Sequence, residues 1–170
     1  MACALTQGLA VGCRDGIGGI KTVYIVENAS VGAITSSSGI ISAITMVGGA
    51  KFWTYNLVKE VGEFTDDMPM SVPNGTVYSD QKLMFTARKM SATLRGEIKL
   101  LSQNLLKIMV LDNNGTYWLL GEINGMDMTK ATGKTGKMLG DFGGYDFEFQ
   151  GKEPNMAQTV TSSIIAAIIQ

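Results

Sequence analysis

The stretch that most constrains the fold runs from Lys51 to Met90, KFWTYNLVKEVGEFTDDMPMSVPNGTVYSDQKLMFTARKM. Its two arms are rich in Phe, Trp, Tyr, Val and Thr, which suit a pleated, half-buried surface. Pro73-Asn74-Gly75 sits between them, and Asn-Gly tolerates the positive φ that a tight hairpin turn demands. On the return arm Val77, Ser79, Gln81, Leu83, Phe85 and Ala87 fall on one face, and Tyr78, Asp80, Lys82, Met84, Thr86 and Arg88 on the other. That period of two predicts a strand with an apolar side and a polar side. The whole stretch therefore reads as one long antiparallel hairpin. Its distal part, Glu60 to Asp80, holds Glu60, Glu63, Asp66, Asp67 and Asp80 and no Lys or Arg. A two-stranded ribbon is marginal alone in water. The distal part is expected to project and to order against a partner, with a solvated loop as the plain alternative.

The 170 residues fit one domain with a proper core, or one domain with arms. Charged residues are only 17% of the chain, against a usual quarter, which suggests that partners cover much of the surface. Twenty-one Gly and three Pro fit a β-rich chain with many turns. A net charge of −1 supplies no basic field to recruit nucleic acid as a specific ligand. With no His, a zinc site lacks its usual ligands, and no metal or other cofactor is expected. Cys3 and Cys13 read by default as reduced thiols; a small oxidised loop is the alternative, and sequence does not supply its geometry. No basic segment followed by an apolar run marks a signal peptide. The C-terminal run Ile164-Ile165-Ala166-Ala167-Ile168-Ile169 is too short to span a bilayer as a helix, so no membrane insertion is expected.

In chain order, residues 1–19 read as a Gly-rich N-terminal arm. Lys21–Glu27 is the first strand, Ser36–Gly39 a loop, Ile40–Val47 a second strand, and Gly48-Gly49 a turn into the hairpin. Ala92–Leu105 reads as the one good helix, because Leu94, Ile98, Leu101 and Leu105 make a packing stripe. Gly96 inside it costs about 1 kcal/mol against Ala, and a Gly there would admit a close neighbour. Lys107–Asp112 and Thr116–Gly121 form a second hairpin about Asn113-Asn114-Gly115, apolar enough for the core. Residues 124–140 read as a Gly-, Thr- and Lys-rich loop. Tyr145–Gln150 alternates cleanly and reads as the last core strand. Residues 154–170 form a C-terminal arm whose Ile-rich end needs somewhere to bury itself. There is no internal repeat. The expected fold is mainly β, with residues 20–153 an antiparallel β-sandwich or barrel. One flanking helix (92–105), the projecting hairpin (51–90) and extended terminal arms complete it.

Few motifs carry chemistry. Gly133-Lys134-Thr135 ends like a phosphate-binding loop, but Met128 stands where the first Gly belongs, and no helix is expected to follow. Asn28-Ala29-Ser30, Asn74-Gly75-Thr76 and Asn114-Gly115-Thr116 match a glycosylation acceptor, and the latter two serve better as hairpin turns. Asp66 and Asp67 are adjacent carboxylates, yet nothing sets a nucleophile, base and oxyanion donor together, so no catalysis is expected. Lys130, Lys134 and Lys137 lie in a segment without acids. They complement the acids of the hairpin (Glu63, Asp66, Asp67), and opposite charges meeting between subunits fix register. Such a head-to-tail contact is heterologous and generates a ring or a filament.

The segments CALTQG (Cys3–Gly8), CRDGIGGIKTVY (Cys13–Tyr24), KFWTYNL (Lys51–Leu57) and LDNNGTYWLLG resemble structural proteins of tailed bacteriophages, and the layout most resembles a major tail tube protein. The resemblance implies kinship with the tube proteins of contractile injection systems and of type VI secretion. It implies hexameric rings whose sheets join into one β-barrel around a lumen. A long hairpin and terminal arms would reach the next ring, and DNA would pass through the lumen without specific binding. Its expected partners are further copies of itself, tape-measure, terminator and baseplate or tip proteins, and, in contractile tails, a sheath. The expected location is the virion tail, assembled in the bacterial cytoplasm. By position, stacking falls to Glu63–Pro73 together with Lys130, Lys134 and Lys137, and helix packing to Leu94–Leu105. The lumen falls to the polar face with Asp80, Lys82, Thr86 and Arg88, which is mixed in charge rather than acidic. Other readings are a tail terminator, a head–tail connector or a capsid decoration protein. A small-ligand or carbohydrate-binding β-sandwich would instead use Trp53, Tyr55 and Trp118, whose plainer role is core packing.

Overall fold

The computed structural model describes residues 8, 9, 11, 12 and 14–170; Cys3 and Cys13 lie outside the described residues. The strands are β1 (Ile20–Glu27), β2 (Val31–Ser37), β3 (Ile40–Met46), β4 (Trp53–Asn56), β5 (Gly62–Asp67), β6 (Met70–Ser71), β7 (Thr76–Val77), β8 (Ser79–Arg88), β9 (Leu106–Asp112), β10 (Tyr117–Leu120), β11 (Asp127–Lys134), β12 (Gly144–Glu153) and β13 (Gln158–Val160). The helices are α1 (Ala92–Gln103) and α2 (Ser162–Ile168). A seven-stranded sheet has the order β2-β3-β13-β10-β9-β1-β4, and a four-stranded sheet the order β11-β12-β8-β5. β6 and β7 make a separate two-stranded ribbon. Every pairing is antiparallel except β13 with β3. The fold is thus mainly β and antiparallel, with α1 on its flank.

The seven-stranded sheet is covered on both faces, which is why β1 (IKTVYIVE) and β9 (LKIMVLD) read as nearly continuous apolar runs. Val23, Ile25, Ile108, Val110 and Leu120 point at the four-stranded sheet, where they meet Leu83, Phe85, Phe147 and Phe149. Tyr24, Val26, Met109 and Leu119 point the other way, at Ile41, Ile44, Phe52, Val160, Ile165 and Ile168. In the first core the Phe85 ring stacks on Phe147 at 5.0 Å and on Phe149 at 5.8 Å. Each such pair contributes about 0.5–1.5 kcal/mol beyond its buried area.

Several local features differ from the sequence reading. The Lys51–Met90 hairpin is divided between the two sheets. β4 pairs with β1, and the chain then crosses over at 57–61, with Glu60 at φ 63, before β5 begins its pairing with β8. The hairpin proper is β5–β8, and β6–β7 is its tip. The acids do not lie at that tip. Glu63, Asp66 and Asp67 are inside β5, and Met70 to Val77 carries no charge. The Ser36–Gly39 loop shrinks to Ser38-Gly39, both at positive φ (52 and 80), and β2 occupies the rest. The Lys-rich loop contains β11, an edge strand. β12 extends to Glu153, and β13 follows it.

The C-terminal arm folds back into its own chain. β13 inserts between β3 and β10, and α2 buries Ile165 and Ile168. The Phe52 N–H donates to the Ile168 carbonyl (2.8 Å) and the Gln170 N–H to the Phe52 carbonyl (3.0 Å). The lead-in before β1 is exposed where described. It is tied down at Ile17 and Gly18 by the side chains of Asn113 and Asn114, with Asn113 Nδ2 donating to the Gly18 carbonyl at 2.7 Å.

α1 starts at Ser91, whose hydroxyl accepts the Leu94 N–H at 3.1 Å. Leu101 is buried, and Leu94 and Ile98 pack on the first core. Leu105 lies past the helix end, 39% exposed, with its side chain over Gly125. Among the described residues no neighbour approaches Gly96: a Cβ there would meet nothing within 4 Å.

Two buried charged side chains, each bonded to backbone, fix the link from β10 to β11. Glu153, 2% exposed, accepts the backbone N–H groups of Ile123, Asn124 and Gly125. The Lys107 ammonium, 5% exposed, donates to the carbonyls of Gly121 and Glu122. Burial pushes the Lys107 pKa down from its usual value, against the pull of Glu153 and Glu122.

Candidate functional site

The four-stranded sheet has one face in the core and one outside. Along β8 the core face carries Ser79, Gln81, Leu83 and Phe85, as the period of two requires. Asp80, Lys82, Met84, Thr86 and Arg88 stand on the outer face. Register extends that face across the sheet. Glu63, Thr65 and Asp67 of β5 lie beside Met84, Lys82 and Asp80, and Asp146, Glu148 and Gln150 of β12 lie beside Thr86, Met84 and Lys82. Lys130 and Thr132 of β11 lie beside Glu148 and Asp146.

This surface is a lattice of alternating charge. Lys134 Nζ is 2.6 Å from Asp146, Lys130 Nζ 3.5 Å from Glu148, and Lys82 Nζ 3.2 Å from Asp80. The pairs are largely exposed, so each contributes little to stability. Their effect is on the field: Lys82, Lys130 and Lys134 each have an anion beside them, while Arg88 on the same face makes no such pair among the described residues. The hydrogen bond from Gln150, with Lys82 beside it, holds the Asp80 carboxyl below its usual range. Lys134, with help from Thr86, does the same for Asp146.

The candidate contact residues therefore sort by place. Glu63 and Asp67 are on the outer face of β5, which among the described residues is one free edge of this sheet. Lys130 and Lys134 are on the outer face of β11, the other free edge. Asp66 points inward, where its carboxylate accepts the Ser79 hydroxyl and the Ala157 N–H (2.6 Å). It ties β5 to the chain before β13 and is occupied within the subunit. Lys137 lies beyond β11, and its backbone N–H donates to Asp141 (2.8 Å). The structure brings Asp80, Lys82, Thr86 and Arg88 onto one face with β12 and β11. It sets the acids and lysines at opposite edges rather than on a tip and a loop. Sequence reasoning missed Asp146 and Glu148, which partner the lysines. Their alternation with Tyr145, Phe147 and Phe149 was the available signal.

The other motifs resolve structurally. Gly133-Lys134-Thr135 closes a strand, and the Tyr145 ring lies against Gly133, so the segment has no phosphate cradle. Among the described residues, no group of three or more His, Cys, Asp or Glu could hold a metal ion. No described helix is long and apolar enough to cross a membrane. Trp118 is half-buried against the core, with its indole N–H on Asp112 at 3.1 Å. Trp53 is not a core residue: it is 57% exposed, beside Tyr55 at a cavity of about 400 Å³ between β4 and α1. Trp118 does not reach that cavity. Apolar side chains are exposed at the hairpin tip (Met70, Val72, Val77), in the loop after β11 (Met138, Leu139) and in the lead-in (Leu9, Val11, Ile17).

The chain matches no protein-family model, no curated protein and no solved structure.

Proposed function

We propose that this protein is a non-enzymatic tube subunit of a phage tail: copies join side by side into a ring, and rings stack around a lumen that conducts DNA. The observation that carries the reading is the four-stranded sheet. It has one buried face, one charged face, and two free edges of opposite charge.

Its strands alternate strictly in direction. With four of them, β11 and β5 run antiparallel to each other. Rotating a copy about an axis brings the β5 edge of one subunit antiparallel to the β11 edge of the next, with no break in the alternation. Closure of this kind also removes both exposed edges, which otherwise invite uncontrolled pairing. The contact is heterologous, so it makes a ring where the rotation closes.

The charged face then lines the lumen, while the core face looks outward to the seven-stranded sheet. Because Lys82, Lys130 and Lys134 stand beside carboxylates, a passing polyanion meets no continuous positive track. Six copies, the number implied by the tail tube resemblance, would give a barrel with a backbone diameter of about 45–50 Å at normal strand spacing and tilt. Stacking falls to the uncharged tip, where Met70, Val72 and Val77 are exposed and a ribbon of this size needs support. The natural setting is the virion tail, with tape-measure, terminator and tip proteins as neighbours.

Negative-stain electron microscopy over a concentration series tests this. Hollow filaments with an axial repeat are the expected result. Rings that never stack would favour a terminator or connector. A monomer that persists at high concentration would overturn the tube. It would favour the ligand-binding reading, for which the exposed Trp53 beside its cavity is the supporting observation.

A further inference from the structure

We infer that neighbouring copies join in one particular register: Glu63 of β5 faces Lys134 of the next copy's β11, Thr65 faces Thr132, and Asp67 faces Lys130. This rests on the ring reading above and adds to it which residues meet.

Backbone direction limits the choices. The Val61 carbonyl accepts the Thr86 N–H (3.1 Å), so odd-numbered residues of β5 aim their backbone groups at β8. The backbone groups of Gly62, Phe64 and Asp66 are left at the free edge. The Lys89 N–H donates to the Gly143 carbonyl (3.0 Å), and the same alternation carried through β12 leaves Ala131 and Gly133 facing the free edge of β11. An antiparallel junction therefore bonds even residues of β5 to odd residues of β11. The charged-face residues fall in the closer, non-hydrogen-bonded pairs. Allowed registers differ by two residues. A slide of two in either direction sets no acid of β5 against a lysine of β11. A slide of four keeps a single ion pair. Only one register pairs both acids with both lysines.

Two independent features agree with it. On the core face, Phe64 comes opposite Gly133, which already lies against the Tyr145 ring of its own chain and has no side chain to clash with Phe64. The second feature is the stagger. Passing along paired residues from Glu63 through Met84 and Glu148 to Lys130, then across the junction, arrives at Asp67, four positions further along β5. An offset of four residues per four strands, at about 3.3 Å per residue and 4.8 Å per strand, tilts the strands by about 35°. Closed barrels tilt by about 35–45°. The register was chosen on charge alone, yet it yields a barrel's tilt for any number of copies. The lysines need not leave Asp146 and Glu148, because an ammonium with three donors can bridge two carboxylates.

The test is a cysteine pair, Thr65→Cys with Thr132→Cys, in a chain carrying Cys3→Ser and Cys13→Ser. A non-hydrogen-bonded pair has a Cα separation of about 4.5 Å, within disulfide range. Mild oxidation of the assembled protein should give a ladder of cross-linked species on a non-reducing gel, ending at the ring size. Thr65→Cys with Lys130→Cys or with Lys134→Cys should cross-link at least about tenfold less, since a two-residue slide exceeds disulfide reach. Charge is tested separately. Glu63→Lys/Asp67→Lys and Lys130→Glu/Lys134→Glu should each fail to assemble alone and should co-assemble when mixed, because every mixed junction restores opposite charges. Rings or tubes visible by microscopy with no Thr65–Thr132 cross-link, or with the slid pairs cross-linking instead, would overturn the register and leave the ring standing. Absence of any assembly at any concentration would overturn both.

Discussion

Removing the Glu153 charge should unpin the β10–β11 connection. The carboxylate is almost fully buried and serves three successive backbone N–H groups, those of Ile123, Asn124 and Gly125. Glu153→Gln keeps the shape and one carbonyl oxygen. It replaces a charged acceptor by a neutral one and turns an NH₂ group towards donors. Bonds to a charged group contribute roughly 1.5–3 kcal/mol each and neutral ones about half that. The mutation also removes one of the two carboxylates that act on the buried Lys107, Glu122 being the other, so the loss falls short of the about 3–5 kcal/mol found where a buried pair is broken outright. Lys107 keeps two carbonyls, so the lower part of these ranges applies: about 2–3 kcal/mol in all. For a chain of this size that is roughly 4–12 °C in Tm. The assay is urea unfolding at a concentration below assembly, followed by tryptophan fluorescence. Glu148→Gln, at an exposed pair, is the control and should shift stability by less than about 0.5 kcal/mol. A Glu153→Gln change as small as the control's would refute the idea that this carboxylate holds the loop.

Gly96→Ala should stabilise the isolated subunit by about 0.5–1 kcal/mol, since the added methyl meets nothing and the unfolded chain loses freedom; impaired assembly in the same variant would locate a neighbour against α1. Met70→Asp with Val72→Asp should leave subunit unfolding unchanged within about 0.5 kcal/mol and suppress filaments while sparing rings, which sizing and microscopy separate. Acid should weaken the subunit. The Asp80 and Asp146 carboxyls are held below their usual range, so the stability they confer is present above the unfolded carboxylate pKa and is lost as pH falls through their folded values. Glu122 has the opposite sign. Burial and then Glu153 raise its pKa, so the stability it confers when protonated is lost as pH rises through that value. Urea midpoints from pH 3 to pH 7 on Asp80→Asn/Asp146→Asn and on Glu122→Gln should separate the two trends.

What could be read from sequence followed side-chain bulk. β1, β8, β9, β10 and β12 bury large side chains: β8 and β12 were legible from their alternation, β1, β9 and β10 from their apolar runs, and the α1 stripe was legible down to Leu101. β2 and β11 were not. VGAITSS and DMTKATGK are edge strands with few large residues; β11 packs Met128 on the core, while Ala131 and Gly133 are exposed. A strand that buries so few large side chains has a composition that looks like a loop. The long hairpin was misjudged for a related reason. Both arms have strand composition, but nothing in KFWTYNLVKEV reports that Trp53–Asn56 pairs with β1 while the chain two turns later joins the other sheet. Of the acids and lysines read as complementary, Glu63, Asp67, Lys130 and Lys134 stand on the outer face, while Asp66 points inward and Lys137 lies beyond β11. Their positions at opposite edges of one sheet depend on β11 being a strand, so the geometry could not follow.

The placement of β13 has a consequence for the order in which the protein can be made. β2 and β3 form a local hairpin, but their link to the rest of the seven-stranded sheet is β13, which pairs with Ile40 and Ile41 on one side and with Tyr117, Trp118 and Leu119 on the other. Residues separated by more than a hundred positions must meet before that sheet is continuous, a high contact order that favours slow folding. A ribosome adding about 5–20 residues per second exposes the β8 and β12 half of the molecule while the other half still lacks its keystone. The four-stranded sheet has all its strands by Glu153, so in the tube proposed above its joining edges, β5 and β11, would be present before β13 closes the seven-stranded sheet.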